Sequence, residues 1–131
     1  MKMAHKSILI VDDELYVRQS MLDYFEDHLW QVMQAESGEQ ALELLETHSP
    51  AAAIVDIRMG GMDGSSFIRQ ASIKKYGMAF VICTGSPDYD FPNDLQESPC
   101  VSKKIFTKPV INMSLLEDEL ERMIKKMDGV E

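Results

Sequence analysis

The segment Ser7-Ile8-Leu9-Ile10-Val11-Asp12-Asp13 restricts the fold more than any other stretch of the chain. Its short β-branched run has no polar side to offer water, so it reads as a strand buried on both faces. The two aspartates that close it carry the chain into a polar loop. Strands of this kind belong to parallel sheets, and parallel neighbours need a crossover, which a helix supplies.

The rest of the sequence alternates accordingly. Further strands are predicted at Trp30–Ala35, Ala51–Ile57, Ala79–Cys83 and Lys104–Thr107. From Glu14 to His28, the residues Leu15, Val17, Met21, Leu22, Phe25 and Leu29 recur at the spacing of one buried helix face. Ser37 with Gln40 forms a capping-box signature ahead of Ala41, Leu42, Leu44 and Leu45, and Pro50 lies beyond that helix. Gly60 to Gly64 reads as a loop, followed by a helix over Phe67–Tyr76 that stops at Gly77. Ser114 with Glu117 is predicted to cap a last helix carrying Leu115, Leu116, Leu120, Met123 and Ile124. Between Gly85 and Pro99, the prolines Pro87, Pro92 and Pro99 leave room for a short turn at Asn93–Glu97 and no long helix. The expected architecture is doubly wound α/β, a five-stranded parallel sheet in the order 2-1-3-4-5 with a short or irregular fourth helix.

Length and charge narrow the function. With 131 residues, 45% of them hydrophobic, the chain suffices for one domain over 1–131, its core at about 6–127. A formal charge of -9 repels phosphate backbones and argues against direct nucleic-acid binding. Cys83 and Cys100 have no metal or redox spacing, which suits a reducing cytoplasm. No apolar stretch approaches the roughly 18 residues of a membrane span, and Met1 to Ser7 is too short and polar for a signal peptide. A cytoplasmic protein is expected. Nothing after the last helix, which runs into Asp128-Gly129-Val130-Glu131, resembles an output domain.

In a doubly wound sheet, ligands bind beyond the carboxyl ends of the strands. Those ends carry Asp12 and Asp13, Asp56, Thr84 and Lys108, which should converge on one pocket. Crowded carboxylates repel one another unless a cation sits among them, and hard oxygen donors suit Mg²⁺ or Mn²⁺. A phosphoryl group could then approach a carboxylate, with the Lys108 ammonium and the Thr84 hydroxyl holding its other oxygens. Each residue alone has a plainer reading: an aspartate after a strand often caps the next helix, threonine is at home in strands, and Lys-Pro usually marks a surface turn. The ordered set on separate strand ends carries the functional reading.

Val11-Asp12-Asp13-Glu14, Asp56-Ile57-Arg58-Met59-Gly60-Gly61-Met62-Asp63-Gly64, Thr84-Gly85 and Lys108-Pro109 resemble the signature blocks of response-regulator receiver domains, over nearly the whole chain. The resemblance implies that Asp56 accepts a phosphoryl group from a sensor histidine kinase or a histidine phosphotransfer protein. It further implies that Asp13, Asp56 and the backbone carbonyl of Arg58 bind Mg²⁺ directly, with Asp12 acting mostly through water. Lys108 would pair with the phosphoryl group, and Thr84 would shift inward to bond it and so alter the surface around the fourth helix. Arg58 and Ser86 would flank the pocket, and the small Gly85 would leave it open.

Three positions depart from the family pattern. Gly60 replaces a proline, which points to a more mobile loop. Ile105 occupies the position of the family's rotating aromatic, while Phe106 faces the other side of its strand, which argues against aromatic switching. The proline-rich Gly85–Pro99 segment replaces a full helix and implies an unusual partner surface.

Two other readings compete. A metal-dependent phosphohydrolase would also use an aspartyl phosphate, but Arg58 stands where its second acid belongs and cannot serve as acid or base at neutral pH. A phosphorylation-independent pseudo-receiver is disfavoured by the complete set of acids, threonine and lysine. His5, His28 and His48 share no ligand spacing and read as surface or helix-end residues. The ten methionines read as core filling, and Glu117-Asp118-Glu119 as a solvated helix face.

Overall fold

The computed structural model describes residues 6–75, 77–86 and 88–129. The expectations placed on residues 1–5 (His5 included), Tyr76, Pro87, Val130 and Glu131 lie outside the described residues. Strands and helices alternate from β1 (Ser7–Val11), α1 (Leu15–Asp27), β2 (Gln31–Ala35), α2 (Gly38–Leu44) and β3 (Ala52–Asp56) to α3 (Gly64–Lys74), β4 (Ala79–Thr84), α4 (Asn93–Glu97), β5 (Phe106–Thr107) and α5 (Met113–Met127). The strands form one sheet in the order β2-β1-β3-β4-β5, every pair parallel. This is the doubly wound arrangement expected, with a fourth helix of only five residues. No helix among the described residues is long and apolar enough to cross a membrane.

β1, β3 and β4 are buried at every position because each strand feeds two cores at once. Leu9, Val11, Ala53, Val55, Phe80 and Ile82 point to one face, where Leu45 beyond α2 and Phe67 and Ile68 of α3 cover them. The alternate residues Ile8, Ile10, Ile54 and Val81 point to the other, under Met21 and Phe25 of α1 and Leu116, Leu120 and Met123 of α5. Parallel pairing sets the carboxyl ends side by side: Val11 pairs with Val55, Asp56 with Cys83, and Thr84 with Thr107. That common edge positions the site.

Several boundaries differ from expectation, each for a local reason. β5 does not begin at Lys104. Val101 makes an isolated bridge to Phe80, and then the Ser102 hydroxyl accepts from the Lys104 N–H at 3.0 Å, so the chain leaves the ladder until Phe106. α3 begins at Gly64 rather than Phe67, because the Asp63 carboxylate caps it by accepting from Ser66 N–H at 2.8 Å. α5 is capped by Asn112, which accepts from Ser114 and Leu115 N–H, and not by Ser114. At α2, Ser37 accepts from Gln40 N–H as expected, but the Gln40 side chain returns to Glu36 N–H.

The acidic run on α5 is a solvated face at Asp118 alone. Glu119 is buried, bonded by the Ser102 hydroxyl and by Arg122 at 2.7 Å, and Glu117 accepts from Tyr24 Oη and Trp30 Nε1, each at 2.8 Å. These pairs stitch α5 to α1, to the residue just before β2 and to the segment before β5. Leu115, expected in the buried stripe, is half exposed, as is Leu15 on α1.

Leu29 is the other misplaced apolar residue. It lies 84% exposed with φ 69°, in the left-handed region that ends α1. Leu29 N–H reaches Glu26 O, and Trp30 N–H reaches Phe25 O, which is a Schellman ending in a position that favours glycine. The Trp30 ring closes it edge-on against Phe25. Leu29→Gly is therefore expected to stabilise the protein by about 0.5–1 kcal/mol, raising Tm by about 2–4 °C. A melt showing no gain would mean that the strain is relieved elsewhere.

Candidate functional site

The carboxyl edge of the sheet gathers the residues singled out from the sequence. Asp12, directly after β1, and Asp56, at the end of β3, are 2% and 3% exposed, whereas Asp13 is exposed. Their carboxylate oxygens lie within 4.8 Å of one another. Lys108, just past β5, places its Nζ 3.1 Å from Asp12 Oδ2, 3.4 Å from Asp56 Oδ2 and 2.9 Å from Glu14 Oε1. Its peptide bond to Pro109 is cis. A cavity of about 500 Å³ opens over the cluster, lined by Asp13, Glu14, Asp56, Arg58, Gly85, Ser86 and Lys108.

Backbone geometry holds these groups in place. Asp12 Oδ1 accepts from Glu14 N–H at 2.9 Å, and Arg18 grips the Asp12 carbonyl at 2.7 Å. Asp56 Oδ1 accepts weakly from Arg58 N–H at 3.3 Å. Gly64 begins α3 so close to the acidic edge that a Cβ there would lie 2.3 Å from the Asp56 carbonyl oxygen and 2.8 Å from Ile57 Cα. Glycine is the residue that allows this approach, and Gly64 N–H bonds Ile57 O at 3.0 Å. Across the same loop, the Glu39 carboxylate accepts from Met62 N–H.

The electrostatics follow from burial. Desolvation pushes the Asp56 carboxyl up to about 6, and the neighbouring Asp12 charge adds to it, outweighing Lys108 and the Arg58 N–H. Asp12 is raised from the ordinary aspartate value, again mainly by burial. Burial alone would lower Lys108, but the carboxylates of Glu14, Asp12 and Asp56 raise it, so the ammonium is firmly charged. Cys83, under the pocket, is pushed up to about 12 by burial and stays a thiol.

Not every expected residue faces the cavity. Thr84 is buried, and its Oγ1 accepts from Ser86 N–H at 3.1 Å, folding the chain after β4 back over the pocket. Ile105 packs into the core on the α2–α3 face with Tyr89, Phe91 and Leu95, while Phe106 packs on the opposite face. Glu14, which in sequence only opens α1, also belongs to the pocket. Only the proximity of Lys108, 94 positions away, reveals its part. His28 and His48 stay at helix ends, each with Nδ1 against a backbone carbonyl.

A family model described as response regulator receiver domain matches residues 8–121. Among curated relatives, sporulation initiation phosphotransferase F of Bacillus subtilis is 27% identical over 107 residues, covering 82% of this chain and 85% of that protein. Other relatives are longer, and the chain spans about a third of their length. Of solved structures, a CheY-like receiver domain protein from Methanospirillum hungatei superposes with a TM-score of 0.82 at 22% identity, over 95% of this chain and 97% of that one. The response regulator TrrA from Thermotoga maritima, solved in complex with Mg²⁺ and BeF, gives 0.78 at 23% identity over 90% and 98%. A match that runs from β1 into α5, on the very sheet whose strand ends hold the acidic pocket, makes this chain a member of the response regulator receiver domain family of two-component signalling.

Proposed function

We propose that the chain, as one receiver unit over residues 6–127, accepts a phosphoryl group on Asp56 from the phosphohistidine of a sensor histidine kinase or a histidine phosphotransfer protein. The observation that carries this reading is the buried Asp56 carboxylate, within 4.8 Å of two other aspartate oxygens and 3.4 Å from the Lys108 ammonium, at the mouth of an open cavity. Three hard oxygen donors so close together fit a divalent cation, and Asp12, Asp13, Asp56 and the Arg58 carbonyl would hold Mg²⁺ or Mn²⁺. Such a cation, when bound, neutralises charge between nucleophile and phosphoryl oxygens.

The chain's own residues do the rest. One Asp56 oxygen attacks phosphorus as the bond from phosphorus to the donor imidazole breaks, and the imidazole leaves with that electron pair and takes up a proton. Lys108 turns from its carboxylates toward the new phosphoryl oxygens, and Thr84 exchanges its contact with Ser86 N–H for a bond to one of them. Release of that contact frees the segment after β4. The output surface follows: Leu95 is buried, Tyr89 stacks on Phe91, and Arg69 grips Asp94 at 2.7 and 3.0 Å, so the short α4 is tied to α3. With Ile105 in place of an aromatic, this segment is the coupling element. The protein acts in the cytoplasm as a phosphoacceptor that assists its own phosphorylation and dephosphorylation, without turnover of an external substrate.

Intact mass after incubation with acetyl phosphate or a phosphorylated histidine kinase tests the reading. A gain of roughly 80 Da that requires Mg²⁺ and vanishes in Asp56→Ala is the expected result. No gain from either donor would favour the pseudo-receiver instead.

A further inference from the structure

Of the three carboxylates on Lys108, the closest belongs to Glu14, which is neither at a strand end nor buried. Its side chain is 61% exposed, yet its Oε1 lies 2.9 Å from Nζ, against 3.1 Å for Asp12 and 3.4 Å for Asp56. It is fixed there at the start of α1, its own N–H bonded to Asp12 Oδ1, and it lines the cavity through which a phosphodonor must come. Glu14 therefore adds a full negative charge at the rim and occupies the ammonium that an incoming phosphoryl group needs.

We propose that Glu14 is a positioning and selectivity residue: it holds Lys108 at the rim, so that a free dianionic phosphodonor must displace a carboxylate before the lysine can receive it. This rests on the phosphoacceptor reading of Asp56. A protein donor brings its own contacting surface to offset that displacement; a small anion has only its charge. Glu14 thus biases the site against stray small phosphodonors.

The test compares the parent with Glu14→Gln at saturating Mg²⁺, using acetyl phosphate, a dianion at neutral pH, and phosphoramidate, a monoanion. In each reaction an Asp56 oxygen displaces acetate or ammonia from phosphorus, the leaving group departing with the bonding electron pair. Glu14→Gln is expected to take up phosphoryl from acetyl phosphate about threefold to fivefold faster, with a smaller gain from phosphoramidate. The difference narrows as salt rises. Beryllofluoride binding, followed by fluorine NMR, tightens in the same variant. Asp88→Asn removes one exposed acid from the neighbouring cavity, which Asp88 shares with Arg58, without touching Lys108, and leaves all these readings near the parent's.

Equal rates in parent and Glu14→Gln, an equal gain for both donors, or the same gain from Asp88→Asn would overturn the proposal. A parent that takes up no phosphoryl group from any donor would instead overturn the reading of Asp56 on which it rests.

Discussion

Asp56→Asn, in chelator at pH 7, is expected to be more stable than the parent by about 2–3 kcal/mol. The Asp56 carboxyl rises from 3.8 to about 6 in the fold, through burial first and the Asp12 charge second. A native carboxyl that holds its proton more tightly than the unfolded chain does favours folding at low pH. That advantage is complete below the unfolded value and is lost as pH rises through the window from about 4 to about 6. Above it, the native protein carries a buried charge it would shed if it could, at a cost of about 1.4 kcal/mol for each tenfold loss of acidity. Asparagine keeps the shape and an oxygen for the Arg58 N–H, and Lys108 retains Asp12 and Glu14.

Three melts separate this account from a simple packing effect. At pH 7 in chelator the variant melts higher. Near pH 4 the gap closes, because the parent's Asp56 is then protonated. With saturating Mg²⁺ the order reverses, since the parent gains binding free energy that the variant has lost along with a ligand. A variant less stable than the parent in chelator at pH 7 would show that Lys108 already compensates the buried charge.

The sheet and its edge were legible because their signals are local. A both-faces-buried strand must be apolar throughout and end in something polar, so Ser7–Val11 and Ala79–Cys83 announce themselves, and the strand-end rule then names Asp12, Asp13, Asp56, Thr84 and Lys108 without reference to contacts. The five-residue α4 was equally readable, since the prolines around it forbid more. What escaped depended on partners far away in the chain. Glu117 and Glu119 look like solvated acids until Trp30, Tyr24 and Ser102 arrive beside them. Leu29 fits the apolar spacing of α1, but the helix has ended and only its backbone angle explains its place. Glu14 is the instructive case: the same glutamate that only opens a helix in sequence is, in space, the nearest counter-ion of Lys108.

Lys108→Met is expected to have the opposite effect to Asp56→Asn, at least as large: a loss of about 3 kcal/mol in chelator at pH 7. Its Nζ is the ammonium in contact with Asp12, Asp56 and Glu14, and its side chain is only 11% exposed. Removing one partner of a buried ion pair leaves the other charges in place without the hydrogen bonds that made burial tolerable. Methionine fills much the same volume, so the loss reports charge and not a cavity. With Lys108 gone, Asp56 loses a neighbour that lowers its pKa, so it holds its proton to higher pH. The deficit of Lys108→Met therefore shrinks as pH falls toward about 6, where the parent's Asp56 takes up its proton too, and Mg²⁺, a larger charge at the same carboxylates, restores stability. The two single effects nearly cancel, and the Asp56→Asn/Lys108→Met double variant is more stable than their sum by at least about 1 kcal/mol, because the charge left stranded is gone. Additive effects would mean that the lysine acts through packing alone. Rescue by Mg²⁺ without recovery of phosphoryl uptake would separate its two parts: counter-ion of the resting pocket, which a cation can replace, and partner of the phosphoryl oxygens, which it cannot.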